Sequence, residues 1–436
     1  MKFGGTSVGR PERMHQVKDL ITRSTEPTVV VLSALSGTTN ALVGIGEALA
    51  SANKVLAKER IDSLHSHYLN FYPELLKTPA ARTKAEDILK EHFEFLNILL
   101  KISFNEAIQR DILAQGELLS TKLFHTLLEE LEIPAVLLPA LDFMSIDENS
   151  EPELGQISER LKALLSQYPD QQLFITQGYI CKNHRNEVDN LKRGGSDYTA
   201  SLVAAAIQAS VCEIWTDIDG MHNNDPRVVD RTRPIAELSF DEAAELAYFG
   251  AKILHPASIW PAQLHNVPVR LLNTMDPAAA GTLIKAEVAE TGVKAIAAKD
   301  GITAINIKSS RMLLAYGFLR RIFEVFESFK TPIDMITTSE VAVSVTIDDL
   351  SHLDQIVEEL RRFGTVEVDS NQAIVCVVGN QVAETKGAIQ SVMDSLVDIP
   401  VRMVSFGGSK HNVSILIDAQ YKVQALKNLN EGVFTW

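Results

Sequence analysis

Two short segments set a cation beside paired glycines and a hydroxyl: Lys2-Phe3-Gly4-Gly5-Thr6-Ser7 and Arg193-Gly194-Gly195-Ser196-Asp197. Residues without a Cβ let backbone N–H groups close on an anion, a fixed cation neutralises it, and hydroxyls add donors. That is the equipment of a phosphate or carboxylate site. In the second segment the guanidinium fork suits a bidentate carboxylate or phosphate, and Asp197 adds an acid at a helix N-terminus. Each segment alone also suits a turn, the first closing an edge strand and the second carrying an N-cap. Two in one chain are harder to assign to turn chemistry.

Further polar clusters interrupt the apolar pattern. Gln115-Gly116-Glu117-Leu118-Leu119-Ser120-Thr121 reads as a carboxylate and hydroxyls just after a loop. A helix start with Glu in its first turn fits the same residues. Thr216-Asp217-Ile218-Asp219-Gly220 ends a strand and leads to Asp225-Pro226-Arg227. It reads either as an Asx-capped turn or as a nucleotide rim with Arg227 as a charge clamp. Phe249-Gly250-Ala251-Lys252 sets another lysine two residues after a glycine, where snorkelling on a helix is the alternative. Gly44-Ile45-Gly46 lacks the third glycine of a dinucleotide fingerprint, and neither a P-loop nor a protein-kinase motif set occurs. His65-Ser66-His67 has no carboxylate partner suggesting zinc.

The elements that must position these groups alternate. Thr28–Ser33 reads as a buried parallel strand feeding a Gly/Ser/Thr turn and a helix from about Ala41. Residues 52–130 are helical in pattern, with breaks near Pro73 and Pro79. Strands follow at Ala135–Leu138, Leu173–Thr176 and Glu213–Thr216, with helices at Ile157–Leu165 and Ala200–Ala209 between them. This alternation predicts an α/β fold with a mainly parallel sheet sandwiched by helices. Asp276–Thr282 reads as a turn-rich exit from that domain.

The last third repeats with a period of about 70 residues, aligning Val343-Ser344-Val345 with Val413-Ser414-Ile415. Each copy reads as a βαββαβ unit, over 302–370 and 371–436. The second runs out of chain before its final strand, and Val293–Ala298 is spare, so the two units are expected to interlock. The first domain is then 1–290, and the second unit is completed by 293–299.

At 436 residues, with 46% hydrophobic and 22% charged residues, the chain has material for two or three domains. A net charge of −15 argues against non-specific nucleic-acid binding and against anionic membrane surfaces. No apolar run reaches membrane-spanning length, no signal peptide is evident, and three unspaced cysteines fit a reducing compartment, so a cytoplasmic location is expected.

Taken together, KFGGTSVG (2–9), VVLSALSGTTN (30–40), QGELLST (115–121), RGGSDYTA (193–200), WTDIDG (215–220), DPR (225–227), FGAKILHP (249–256) and ITTSE (336–340) resemble aspartate kinases of the amino-acid kinase superfamily, with two C-terminal regulatory ACT units. The helical insert at 52–114 is similar to that of the longer, lysine-sensitive type. The resemblance implies ATP-dependent phosphorylation of the β-carboxylate of L-aspartate, with Mg²⁺ carried on the nucleotide and no protein metal site. It implies a monofunctional enzyme, with no fused homoserine dehydrogenase.

Carried over residue by residue, Lys2 would hold the transferring phosphoryl, and Gly4 and Gly5 would give backbone donors. Ser33 and Thr39 would line the substrate pocket. Glu117 would take the substrate ammonium and Arg193 its α-carboxylate, with Asp197 nearby. Thr216, Asp217, His222, Arg227 and Lys252 would border ATP, His222 standing where many relatives carry Tyr. Met312, Gly317, Phe318, Leu319, Asp334, Thr338, Ser339 and Glu340 match the family's effector pocket. There Asp334 and Glu340 would meet ammonium groups, which favours lysine. Ala315 and Tyr316 depart from the residues common there. An effector site between ACT units of two chains implies at least a homodimer, with a tetramer left open.

Overall fold

The computed structural model describes every residue except 193, 251–253, 310–315, 435 and 436. The chain forms two compact units, Met1–Met221 with Leu254–Ala286, and His222–Ile253 with Glu287–Trp436. The strands in chain order are β1 (Lys2–Phe3), β2 (Thr28–Leu32), β3 (Val136–Leu138), β4 (Leu173–Gln177), β5 (Ile180–Lys182), β6 (Val188–Asn190), β7 (Cys212–Thr216), β8 (Glu237–Ser239), β9 (Val269–Asn273), β10 (Thr282–Lys285), β11 (Gly292–Lys308), β12 (Ile336–Thr338), β13 (Ala342–Ile347), β14 (Thr365–Asn380), β15 (Val401–Phe406) and β16 (Asn412–Asp418).

In the first unit the main sheet runs β3-β4-β2-β1-β7-β9-β10. All these pairings are parallel except the last, β9 with β10. β1 is therefore central, with Lys2 opposite Val31 on one side and Ile214 on the other. That position removes the edge-strand reading of the Lys2 segment. β2 and β4 are buried almost throughout because both faces are covered. Val30 and Leu32 face one core, shared with the helices Thr38–Ala50, Lys54–Leu75, Pro79–Leu99 and Glu106–Glu130. Val29 and Phe174 face the other, with the helices Leu154–Leu165 and Gly195–Ile207. The alternation follows from the two-residue period of a strand.

Several boundaries differ from the sequence reading. Pro73 lies inside Lys54–Leu75, near its end, so the chain breaks only at 76–78 and restarts with Pro79 in the first turn of the next helix. Proline is tolerated there because first-turn N–H groups have no intrahelical partner. After the turn at 276–281 the chain does not leave the sheet but returns as β10. Cys181, Cys212 and Cys376 are buried free thiols.

The second unit is built on one antiparallel sheet of six strands, β12-β13-β11-β14-β16-β15. β11 and β14 are each continuous, where the sequence suggests separate short strands. Residues 303–308 of β11 pair with β13, whereas 292–299 pair only with the second half of β14. The second half of β14 in turn pairs with β16. Each long strand thus changes partners midway, at register shifts beside Gly301 (φ +75°) and near Asn371 (φ +58°). Residues 222–253 also belong here, beyond the expected boundary at 290 in space though not in sequence. Val229 packs into the core of Val375, Val377, Leu426 and Leu429, and Asn224 donates to the Leu426 carbonyl at 3.0 Å.

Candidate active site

Lys2 opens β1, and its Nζ lies 2.7 Å from Asp197 Oδ1. The two side chains are only 12% and 18% exposed. Asp197 sits in the first turn of Gly195–Ile207, a helix entered through Gly194 and Gly195 at φ +66° and +49°. A Cβ on Gly194 would stand 2.5 Å from that of Ser258, so this turn requires glycine twice over. Gly4 is extended, and a Cβ there would press on the Lys2 ammonium at 3.2 Å. Gly5 opens the short helix Gly5–Val8, and a Cβ on it would stand 3.0 Å from the Ala34 carbonyl.

The loop after β2 joins this pair to Glu117. Ser33 Oγ donates to Ser196 Oγ at 2.8 Å, and the Ser33 carbonyl accepts from Ser120 Oγ at 2.7 Å. The Ala34 N–H donates to Glu117 Oε1 at 3.3 Å. Glu117 is 4% exposed, and its Oε2 has no hydrogen-bond partner. Burial pushes its carboxyl up to about 7, against the pull of backbone N–H groups. A buried carboxylate with an open oxygen is suited to a ligand cation.

Glu117 is not where the sequence suggests. It lies in the middle of the helix Glu106–Glu130 rather than after a loop or in a first turn. Gly116 explains the polar interruption: a Cβ there would stand 2.9 Å from that of Ala34. The helix is notched so that the loop after β2 can approach. Thr39 is exposed on the second position of Thr38–Ala50, beside the buried Thr38. Thr38 Oγ1 lies 3.1 Å from the hydroxyl of Tyr68, a fully buried residue of the insert. Tyr68, Ser120 and Ser196 join this network without a sequence signal of their own, although the last two stand inside the motifs at 115–121 and 193–200.

The residues expected at the nucleotide are divided between the units. In the first, Thr216 ends β7 and its hydroxyl donates to Asp217, which is exposed, at 3.2 Å. In the second, His222 Nδ1 lies 3.2 Å from Thr232 Oγ1. Arg227 is 85% exposed, its guanidinium held on Asp225 by bonds of 2.9 and 2.8 Å. Arg193 and Lys252 lie outside the described residues, as do Met312 and Ala315.

Of the expected effector residues, Gly317 caps the helix Phe318–Ser328 in the left-handed region, with Phe318 buried and Leu319 exposed. Thr338, Ser339 and Glu340 are exposed around the end of β12. Asp334, expected to await an ammonium group, is already engaged by Lys299 and Tyr248. Among the described residues no group of three or more His, Cys, Asp or Glu side chains could hold a metal ion. No described helix is long and apolar enough to cross a membrane.

The comparisons with known proteins give the class first. The model of the amino acid kinase family matches residues 1–273, and that of the ACT domain matches residues 375–432. The lysine-sensitive aspartokinase 3 of Escherichia coli (strain K12) is 32% identical over 99% of this chain and 98% of its own. The crystal structure of E. coli aspartokinase III in complex with aspartate and ADP superposes with a TM-score of 0.84, at 32% identity, over 100% of this chain and 99% of that one. The same enzyme in complex with lysine and aspartate gives 0.82, at the same identity and coverage. The chain belongs to the aspartokinases of the amino acid kinase family.

Proposed function

We propose that the chain transfers the γ-phosphoryl group of ATP to the β-carboxylate of L-aspartate, giving 4-phospho-L-aspartate. One observation carries this reading: the Lys2–Asp197 pair and the open, buried Glu117 are joined by the bonds through Ser33, Ser196 and Ala34. An aspartate ligand offers two carboxylates and one ammonium, so its site needs a buried acid for the ammonium and cations for the carboxylates.

In this reading Glu117 receives the α-ammonium and Arg193 the α-carboxylate, while Ser33 and Thr39 line the pocket. The β-carboxylate is ionised at neutral pH, so its oxygen attacks without a general base. Lys2 neutralises the phosphoryl oxygens as charge shifts toward the leaving ADP, helped by the N–H groups of Gly4 and Gly5. Asp197 fixes the Lys2 ammonium beside the position that the phosphoryl group must occupy. Thr216, Asp217, His222, Arg227 and Lys252 border the nucleotide. Mg²⁺ on the nucleotide supplies further charge neutralisation when bound.

The same proposal extends to regulation. The segments 302–370 and 371–436, the latter completed by 293–299, act as ACT units on a catalytic domain of 1–290. Lysine is the effector, bound by the residues around Asp334 and Glu340, in a homodimer or a tetramer in the cytoplasm. Support comes from the complexes of the E. coli relative with aspartate, ADP and lysine. The product, an activated β-carboxylate, suits the first step of the aspartate-derived amino-acid pathway to lysine, threonine and methionine.

The test is Mg²⁺-dependent ADP release on addition of aspartate, glutamate or acetylglutamate, followed by titration with lysine, threonine and methionine. Turnover with aspartate alone and inhibition by lysine are expected. Turnover on glutamate with none on aspartate overturns the substrate.

A further inference from the structure

The acid assigned above to an effector's ammonium already holds one. Asp334 has a side chain 1% exposed, and its Oδ1 accepts from Lys299 Nζ at 2.8 Å and from the Tyr248 hydroxyl at 2.7 Å. Its Oδ2 is buried without a hydrogen-bond partner. The same Lys299 ammonium reaches Asp348 Oδ2 at 2.8 Å, a carboxylate 38% exposed, and lies 4.5 Å from the centre of the Tyr248 ring. Burial lowers the basicity of Lys299, but its bonds to Asp334 and Asp348 outweigh that and hold it above the ordinary range. It stays a cation.

Two carboxylates share one ammonium, the inner one buried with an oxygen open and the outer one wet. We propose that Asp334 is an exchange site at which Lys299 is a tethered stand-in for a ligand's ammonium group. An incoming amino acid displaces Lys299 onto Asp348 and takes its place on Asp334. Lys299 is then the residue that sets effector affinity, because a ligand binds only the fraction of molecules in which Asp334 has been released. The inference rests on the effector reading of Asp334. The exchange also changes what shares Asp334 Oδ1 with the hydroxyl of Tyr248, the last residue of the helix Phe240–Tyr248, four positions before Lys252. That gives the site a covalent route toward a segment expected at the nucleotide.

The exchange predicts effects of opposite sign for two substitutions. Lys299→Met removes the competitor, so L-lysine binds about tenfold tighter or better. Asp348→Asn removes the place to which Lys299 withdraws, so L-lysine binds more weakly. The experiment is calorimetric titration of L-lysine into the full-length wild type, Lys299→Met, Asp348→Asn and Asp334→Asn, with folding checked by circular dichroism. A folded Lys299→Met that binds no tighter than wild type overturns the exchange, as does an Asp348→Asn that binds tighter. Asp348 is exposed enough that its variant keeps the test open should Lys299→Met fail to fold. Undiminished binding in Asp334→Asn, or none in both wild type and Lys299→Met, overturns the effector reading and the exchange with it.

Discussion

Lys2 and Asp197 meet at 2.7 Å although they lie 195 positions apart, one opening the central strand and the other in the first turn of the helix that follows Gly194. The pairing explains why both Gly-Gly turns face one place. In the proposed reaction Lys2 supplies the charge that meets the phosphoryl group and Asp197 holds it.

Lys2→Ala is therefore expected to lower kcat by about 100- to 1000-fold, the usual loss for one transition-state electrostatic partner. Asp197→Asn leaves the ammonium present but unaimed, and about a 100-fold loss is expected. Steady-state kinetics with saturating aspartate checks both. Near-normal kcat in a folded Lys2→Ala removes Lys2 from catalysis.

Glu117 titrates near 7 in the free protein because it is buried, and only its ionised form can receive an ammonium. The kcat/KM for aspartate should rise with pH up to about 7 and level above it. In Glu117→Gln that inflection disappears and the KM rises. Stability has the opposite sign. The folded value lies above the unfolded 4.5, so this carboxyl's stabilising contribution is whole below about 4.5 and lost as pH rises through 7. Thermal melts should show Glu117→Gln gaining on wild type above pH 7, with no such gain below pH 4.5.

Tyr68→Phe keeps the ring but leaves the Thr38 hydroxyl, 1% exposed, without this partner. A stability loss of about 1–2 kcal/mol is expected. Because Thr38 opens the helix carrying Thr39, the aspartate KM should rise severalfold while kcat changes little. Urea unfolding and initial rates measure the two effects.

In the second unit, Lys294 and Glu242 form a buried pair at 3.2 Å, 5% and 0% exposed. Glu242 also accepts from the Ser239 N–H in a capping box. Lys294→Met strands that carboxylate, at a cost of about 3–5 kcal/mol. Adding Glu242→Gln should recover part of the loss, and a double-mutant cycle in urea checks it.

Much of this was legible from sequence because the informative groups lie on strand ends and Gly-Gly turns, where polar residues interrupt a buried apolar pattern. The Val-rich run at β2 and the helix after Gly195 follow from that logic, whereas the direct Lys2–Asp197 pair joins two distant elements and has no local signal. Glu117 was harder. A polar face turned inward mid-helix has the same local pattern as a helix start, and only the packing of Ala34 on Gly116 distinguishes them. Tyr68 lay in a long insert whose periodicity reveals helices but not which ring reaches the loop. The Lys299–Asp334 pair joins residues 35 apart on elements whose register no local signal sets.

The partner change within β11 has a consequence for biosynthesis. Residues 292–299 are made well before the strand they pair with, since Val293 meets Gly379 and Lys299 meets Ile374. Residues 303–308 find β13 much sooner. A ribosome therefore exposes a finished half-sheet with an uncovered apolar edge, Ala295 and Ile296 among it, until β14 and β16 emerge. Nascent chains stalled near residue 370 should be the species most prone to aggregate and most dependent on chaperones.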